Sequence, residues 1–251
     1  MSDYLYGLHA VQSALERSPE SVSELWIDAK RSIKNDKRMA RILQLAQSAG
    51  CIVHSVEKIT LDSLAPDGRH QGVVASAVAP KIYSEAELDT LLDKLDTPSF
   101  LLILDGVTDP HNLGACLRSA AAAGVQAVIA PKDRAASLTP VVIKVASGAA
   151  QTVPFVQVTN LARCLRSLKE RGIWLVGLDG YADQSLHKTD LKGPLAIVMG
   201  AEGQGLRRLS KEHCDYLVKI PMADSVESLN VSVAAGVCLF EALRQRNSEV
   251  S

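Results

Sequence analysis

The sequence predicts an α/β protein in two modules, the larger of them built on a parallel sheet. Three observations carry that expectation. From Phe100 onward, short apolar runs alternate with helical periodicity, the pattern of strand–helix–strand units. Residues 101–104 form an unbroken apolar run, suited to a strand buried on both faces as parallel strands are. Between Pro80 and Pro98 a charged stretch separates two regions of different character and reads as a connection. The expected division is a small α/β module over 1–78, a linker over 79–98, and the larger domain over 99–251.

In the first module, residues 7–17 read as a helix and 24–28 as a strand. A second helix over 34–49 stops at Gly50, a residue suited to the left-handed turn that ends helices. Residues 51–56 and 72–78 read as further strands. In the second module, strand 101–104 leads to helix 112–124, strand 127–130 and helix 139–146. Residues 153–158, 161–171 and 173–178 continue the alternation. Strand 195–199, helix 205–213, strand 217–220 and a long helix over 231–246 complete it. Strands that alternate with helices imply a parallel sheet covered on both faces.

With 251 residues, 47% hydrophobic and 22% charged, the chain has ordinary globular composition and enough apolar surface for real cores. Asp3 lies at the very start, and the apolar stretch over 8–15 is broken by His9 and Gln12, so no secretory leader is expected. No apolar run approaches the roughly 18–20 residues that span a bilayer. The cysteines (Cys51, Cys116, Cys164, Cys214 and Cys238) are scattered, without a Cys-x-x-Cys pair. Neither a metal site nor a disulfide framework is therefore expected, and the chain reads as cytoplasmic, with no membrane association.

Ligands of open α/β sheets bind beyond the carboxyl ends of the strands, and three such ends hold unusual residues. The first runs from Asp105-Gly106 through Asp109-Pro110-His111 to Asn112-Leu113-Gly114, followed by a helix carrying Arg118. The second is Met199-Gly200-Ala201-Glu202-Gly203-Gln204-Gly205. The third runs from Ile220-Pro221-Met222 to Ser228-Leu229-Asn230-Val231-Ser232. Singly, each has an ordinary explanation. Asn112 and Asn230 precede helices and suit N-caps, the glycines suit turns, and a lone Arg118 suits a solvated helix face.

Together, in this order and spacing, the loops resemble the three motifs of the SpoU (TrmH-type) branch of the SPOUT methyltransferases. The opening Tyr6-Gly7-Leu8-His9-Ala10-Val11 resembles the start of the ribosomal-protein-like substrate-binding domain of such enzymes, so the resemblance covers the whole chain. It implies transfer of a methyl group from S-adenosylmethionine to a ribose 2′-hydroxyl of a structured RNA. The substrate implied is a guanosine of 23S ribosomal RNA in the peptidyl-transferase region, free or within a large-subunit precursor particle. A transfer RNA is the alternative. The resemblance also implies a homodimer paired through the second domain, and a deep C-terminal trefoil knot. Periodicity by itself predicts only an ordinary doubly wound sheet. By the same resemblance Gly200, Ile220 and Leu229 line the cofactor pocket, with Met199, Gly205 and Met222 beside them. Asn112, Arg118, Glu202, Ser228 and Asn230 form the catalytic set.

The chemistry constrains those roles. Methyl transfer needs an in-line approach of the 2′-oxygen, so positioning is a large part of catalysis. The developing alkoxide needs a positive partner in a site with little water. Arg118 suits that task better than proton abstraction, because a guanidinium stays charged in proteins. On this reading Arg118 fixes an RNA phosphate and the 2′-oxygen, and the proton leaves to that phosphate or to water. Glu202 is the nearest carboxylate candidate for a base or for orienting Arg118. Ser228 and Asn230 supply neutral groups to orient the ribose.

Two other classes stay open at this point. Gly200, Gly203 and Gly205 follow a strand, with Asp224 downstream, as in dinucleotide-binding oxidoreductases. Their order is Gly-x-x-Gly-x-Gly, though, and too little chain follows for a second half-sheet. A binding module without catalysis is the other, and the complete motif set speaks against it. A net charge of −1 argues against broad phosphate binding. Lys30, Arg31, Lys34, Lys37, Arg38 and Arg41 nevertheless cluster around one helix start, on a module with nine basic and nine acidic residues over 1–75. That cluster reads either as a solvated face or as an RNA-contacting patch.

Overall fold

The computed structural model describes residues 3–17, 19–30, 36–66, 68–77, 80–223 and 225–247. They form two compact units, Met1–Lys81 with Ile143–Thr152, and Ile82–Val142 with Val153–Ser251.

The first unit runs β1 (Asp3–Tyr6), α1 (Leu8–Arg17), β2 (Val22–Asp28), α2 (Lys37–Ser48), β3 (Ile52–Val56), α3 (Lys58–Leu64) and β4 (Val73–Ala77). The sheet order is β1-β4-β2-β3, with β4 antiparallel to both neighbours and β2 parallel to β3. Helices α1 and α2 pack together and bury Val11, Leu15, Met39 and Ile42. Asp36 caps α2 by accepting from the Arg38 and Met39 amides, so the helix begins at Lys37 and not at 34. Strand β1 has four residues and α3 seven, too few for a readable period. Residues 143–152, expected in the second domain, group with this unit, where the Ser13 hydroxyl donates to the Ser147 carbonyl at 3.3 Å.

The second unit begins with β5 (Ile82–Tyr83), α4 (Glu85–Asp93), β6 (Phe100–Asp105), α5 (Pro110–Ala123) and β7 (Ala127–Pro131). Helix α6 (Pro140–Ala146) ends, and α7 (Ala149–Thr152) lies, in the segment assigned to the first unit. The second unit resumes with β8 (Phe155–Val158), α8 (Leu161–Glu170), β9 (Trp174–Leu178) and β10 (Gln184–Ser185). Then come β11 (Leu195–Gly200), α9 (Arg208–His213), β12 (Tyr216–Lys219) and α10 (Val231–Asn247). The sheet order is β10-β12-β9-β11-β6-β7-β8-β5, and every one of these pairings is parallel. Leu101, Leu102, Ile103 and Leu104 are all fully buried, as an apolar run on a two-sided sheet must be. One core joins Leu88 and Leu92 of α4 and Leu165 and Leu168 of α8 to Leu101, Ile103, Ile129 and Val198. Helices α5 and α10 pack on each other.

The stretch expected to be a linker is structured. Strand β5 pairs with β8, and α4 opens with a capping box between Ser84 and Glu87. Its charges belong to pairs with α8: Glu85 with Arg163 at 2.8 Å, and Asp93 and Asp89 with Arg171 at 2.7 and 3.1 Å. Charge and two flanking prolines imitate a connection here because the acids sit on the surface, where they pair with Arg163 and Arg171. Among the described residues no helix is long and apolar enough to cross a membrane, and no group of three potential metal ligands occurs.

Candidate functional site

Parallel pairing sets Gly200 at the end of β11 opposite Asp105 at the end of β6, so the first two motif loops leave the sheet side by side. The second loop closes on itself. The Ala201 amide donates to the Gly205 carbonyl at 3.1 Å, and the Gly205 amide donates back to Ala201 at 2.9 Å. Gly203 and Gly205 sit at φ 75° and 65°, the left-handed region that favours glycine. Gly200 is needed for another reason. A Cβ there would stand 2.0 Å from the Gly205 carbonyl carbon and 2.2 Å from the Leu206 nitrogen.

Asp109, not Asn112, caps α5: its carboxylate accepts from the His111 amide at 2.8 Å, with Pro110 in the first turn. Asn112 is thereby carried inside the helix and buried at 8% exposure. Its Nδ2 donates to Glu202 Oε2 at 3.3 Å, and its Oδ1 accepts from Asn230 Nδ2 at 3.0 Å. Asn230 in turn accepts from the Ser232 amide at 2.9 Å and hydroxyl at 2.6 Å, which caps α10. Asn230 is therefore both a cap and a bridge. One chain of hydrogen bonds, Glu202–Asn112–Asn230–Ser232, ties together three loops that lie 90 and 118 residues apart in sequence.

The other expected residues are placed differently. Arg118 is exposed on α5, roughly 120° around the helix from Asn112. It makes no hydrogen bond or ion pair among the described residues, so this chain does not join it to the Asn112 cluster. Ser228 is exposed and likewise unpartnered among the described residues. Ile220 and Leu229 are half-buried, and Met222 is exposed. The Met199 side chain is buried in the core, so only its backbone stands at the strand end. Asp224, Arg31 and Lys34 lie outside the described residues. Lys30, Lys37, Arg38 and Arg41 are exposed in the first unit, and Arg41 lies 3.7 Å from Glu16.

The arrangement suits an adenine nucleoside group. Residues 221–223 and 225–230 form neither strand nor helix, and within them the Val226 amide donates to the Ala223 carbonyl at 3.0 Å. Half-buried Ile220 and Leu229 offer apolar surface, and the exposed Gly203 and Gly205 present no side chain. Burial pushes the thiols of Cys116 and Cys238 up to about 12, so neither is a nucleophile at neutral pH. Sequence reasoning missed one feature of the rim, the contact of Asp105 and Gly106 with Arg207. Asp105 Oδ2 accepts from the Arg207 amide at 3.0 Å, and Oδ1 lies 3.4 Å from Arg207 Nη1. A charged residue ending an otherwise apolar strand was the available signal.

The chain is similar to known proteins over nearly its whole length. The chain belongs to the SpoU rRNA Methylase family, whose model matches residues 99–240, and residues 4–83 match the model described as RNA 2′-O ribose methyltransferase substrate binding. It is 58% identical over 246 residues to the 23S rRNA (guanosine-2′-O-)-methyltransferase RlmB of Shewanella oneidensis, with 98% of each chain covered. It is 54% identical over 247 residues to the RlmB of Escherichia coli strain K12, covering 98% of this chain and 100% of that one. Among solved structures, the SpoU methyltransferase AviRb from Streptomyces viridochromogenes in complex with AdoMet aligns with a TM-score of 0.75 at 27% identity. That alignment covers 98% of this chain and 90% of AviRb.

Proposed function

We propose that this protein transfers a methyl group from S-adenosylmethionine to the 2′-hydroxyl of a guanosine in 23S ribosomal RNA. The observation that carries the reading is the Glu202–Asn112–Asn230 chain, which joins the three family motifs at the strand ends of a SpoU family member. Relatives at 54–58% identity over nearly the whole chain are named for this reaction. The cofactor supplies the methyl group. Gly200, Gly205, Ile220, Met222 and Leu229, with the Met199 backbone, hold it. The 2′-oxygen would gain the methyl carbon as the sulfonium C–S bond breaks and S-adenosylhomocysteine leaves, and its proton would pass to a neighbouring phosphate or to water. Arg118 stabilises the charge that develops on that oxygen, and Asn112 fixes Glu202 and Asn230 beside it. Ser228 and Asn230 orient the ribose. The test is incubation of purified protein with methyl-labelled cofactor and transcribed 23S RNA, then nuclease mapping. Label in a 2′-O-methylguanosine is expected, and label on a base or none at all overturns the reading.

The same reading includes the N-terminal unit as the RNA-binding module, a threaded C-terminal knot, a cytoplasmic site of action and a homodimer. Support for the dimer comes from α10, where Val233 and Phe240 are 52% and 49% exposed and lie seven residues apart on one helical face. A homodimer also gives Arg118, exposed and unpartnered on the packed helix α5, an adjoining surface to act on. Solution scattering at micromolar concentration is expected to give twice the 26.9 kDa chain mass. A monomeric mass removes this part of the reading.

A further inference from the structure

We propose that Arg207 is a clamp for an RNA phosphodiester at the methyl-transfer site, held ready by Asp105 and Gly106. This rests on the reading of the chain as an RNA 2′-O-methyltransferase. Asp105 is wholly buried, at 0% exposure, at the end of β6. Its Oδ2 is satisfied by the Arg207 amide, while Oδ1 has no hydrogen-bond partner and faces Arg207 Nη1 across 3.4 Å. A buried carboxylate is costly unless a cation compensates it. Here the cation that faces it is carried by a side chain that is itself 48% exposed. Arg207 is thus held at its backbone amide, while its guanidinium faces Asp105 on a half-exposed side chain.

Gly106 determines where that guanidinium lies. The residue is at φ 86°, and a Cβ on it would fall 2.9 Å from Arg207 Nη2 and 3.3 Å from its Cζ. The planar group therefore lies against the bare Cα of Gly106, and a side chain there would push the guanidinium aside. A guanidinium carries five N–H donors, and the Arg207 side chain makes no hydrogen bond among the described residues. Its outward edge is a free fork, the geometry that suits two oxygens of one phosphate. Because Asp105 pairs with Gly200 across the sheet and Arg207 follows Gly205 by two residues, the fork stands between the first and second motif loops. A ribose 2′-oxygen is positioned only as well as the backbone that carries it, so a phosphate held there serves the transfer directly. Arg118 is exposed and unattached on α5, whereas Arg207 is the cation that these two loops themselves hold in place.

The test compares Arg207→Gln, Arg207→Lys and Asp105→Asn in the full-length protein, with transcribed 23S RNA and labelled cofactor. Arg207→Gln is expected to raise the KM for RNA by about tenfold or more. The slope of log affinity against log salt should fall by about one. Cofactor affinity should stay near wild type, while the melting temperature should fall, because Asp105 loses the cation that compensates its burial. Arg207→Lys should keep the slope but recover only part of the affinity, since it retains charge without the fork. Asp105→Asn, which frees the guanidinium without deleting it, should raise KM and leave the slope. If that variant unfolds, the two Arg207 substitutions decide alone. Wild-type RNA affinity and salt slope in Arg207→Gln, in a background where the unmodified protein methylates RNA, overturns the clamp. Failure of the unmodified protein to methylate RNA would instead overturn the function on which the clamp rests.

Discussion

Gly200→Ala is expected to abolish measurable S-adenosylmethionine binding and to lower the melting temperature as well. The added Cβ would lie 2.0–2.2 Å from the Gly205 carbonyl group and the Leu206 nitrogen, all of them backbone atoms. Neither can rotate aside as the tip of a side chain would. The paired Ala201–Gly205 bonds must therefore open, and the loop that approaches the cofactor changes shape. Overpacking of this kind costs about 1–3 kcal/mol, and in a domain of this size each kcal/mol lowers Tm by roughly 2–4 °C. Calorimetric titration with the cofactor and a thermal melt measure the two effects together. Unchanged affinity in a protein with a lowered Tm would place the cofactor elsewhere.

Arg118→Ala is expected to slow single-turnover methyl transfer by about 10²–10³, the usual cost of losing one preorganised charge beside a developing oxyanion. Cofactor affinity should hardly change, since an interaction made only in the transition state affects the rate alone. Arg118→Lys should rescue poorly, because it lacks the planar fork. The measurement uses saturating cofactor and excess enzyme over RNA. A near-normal rate would make Arg118 a structural or product-release residue, and Glu202, already tied to Asn112, would take first place. The salt profiles of Arg118 and Arg207 variants should also differ. Arg207 is expected to act on RNA affinity, and Arg118 on the chemical step.

Most of the second unit was legible because buried parallel strands are apolar throughout, and 101–104 is such a run without exception. Elements hidden in charge were not. Helix α4 shows acids that pair with Arg163 and Arg171 from α8, a partner 78 or more residues away that no local pattern reveals. Strand β10 has only two residues, below any readable period. At the site, the order of the three loops was legible, and their linkage was not. Whether Asn112 caps a helix or bridges loops depends on Asp109 taking the cap three positions earlier, a competition settled by Pro110 in the first turn. Asn230 needed no choice, since its oxygen caps α10 while its amide reaches Asn112. Asp105 and Arg207 meet through the register of β6 beside β11, and a register between strands so far apart is invisible in one sequence.

The bond between Asn112 and Asn230 also has a consequence for how the protein is made. The two residues lie 118 positions apart, so at 5–20 residues per second a ribosome takes roughly 6–24 s to deliver the second after the first. For most of that interval, until residues 195–207 have been made, β6 awaits β11 and Asp105 has no Arg207 to face. Contacts this distant in sequence form late and slowly. The growing polypeptide therefore lacks the bond that positions Asn112 from α10. The Asn112–Asn230 bond is expected to form only after Asn230 and the first turn of α10 have left the exit tunnel.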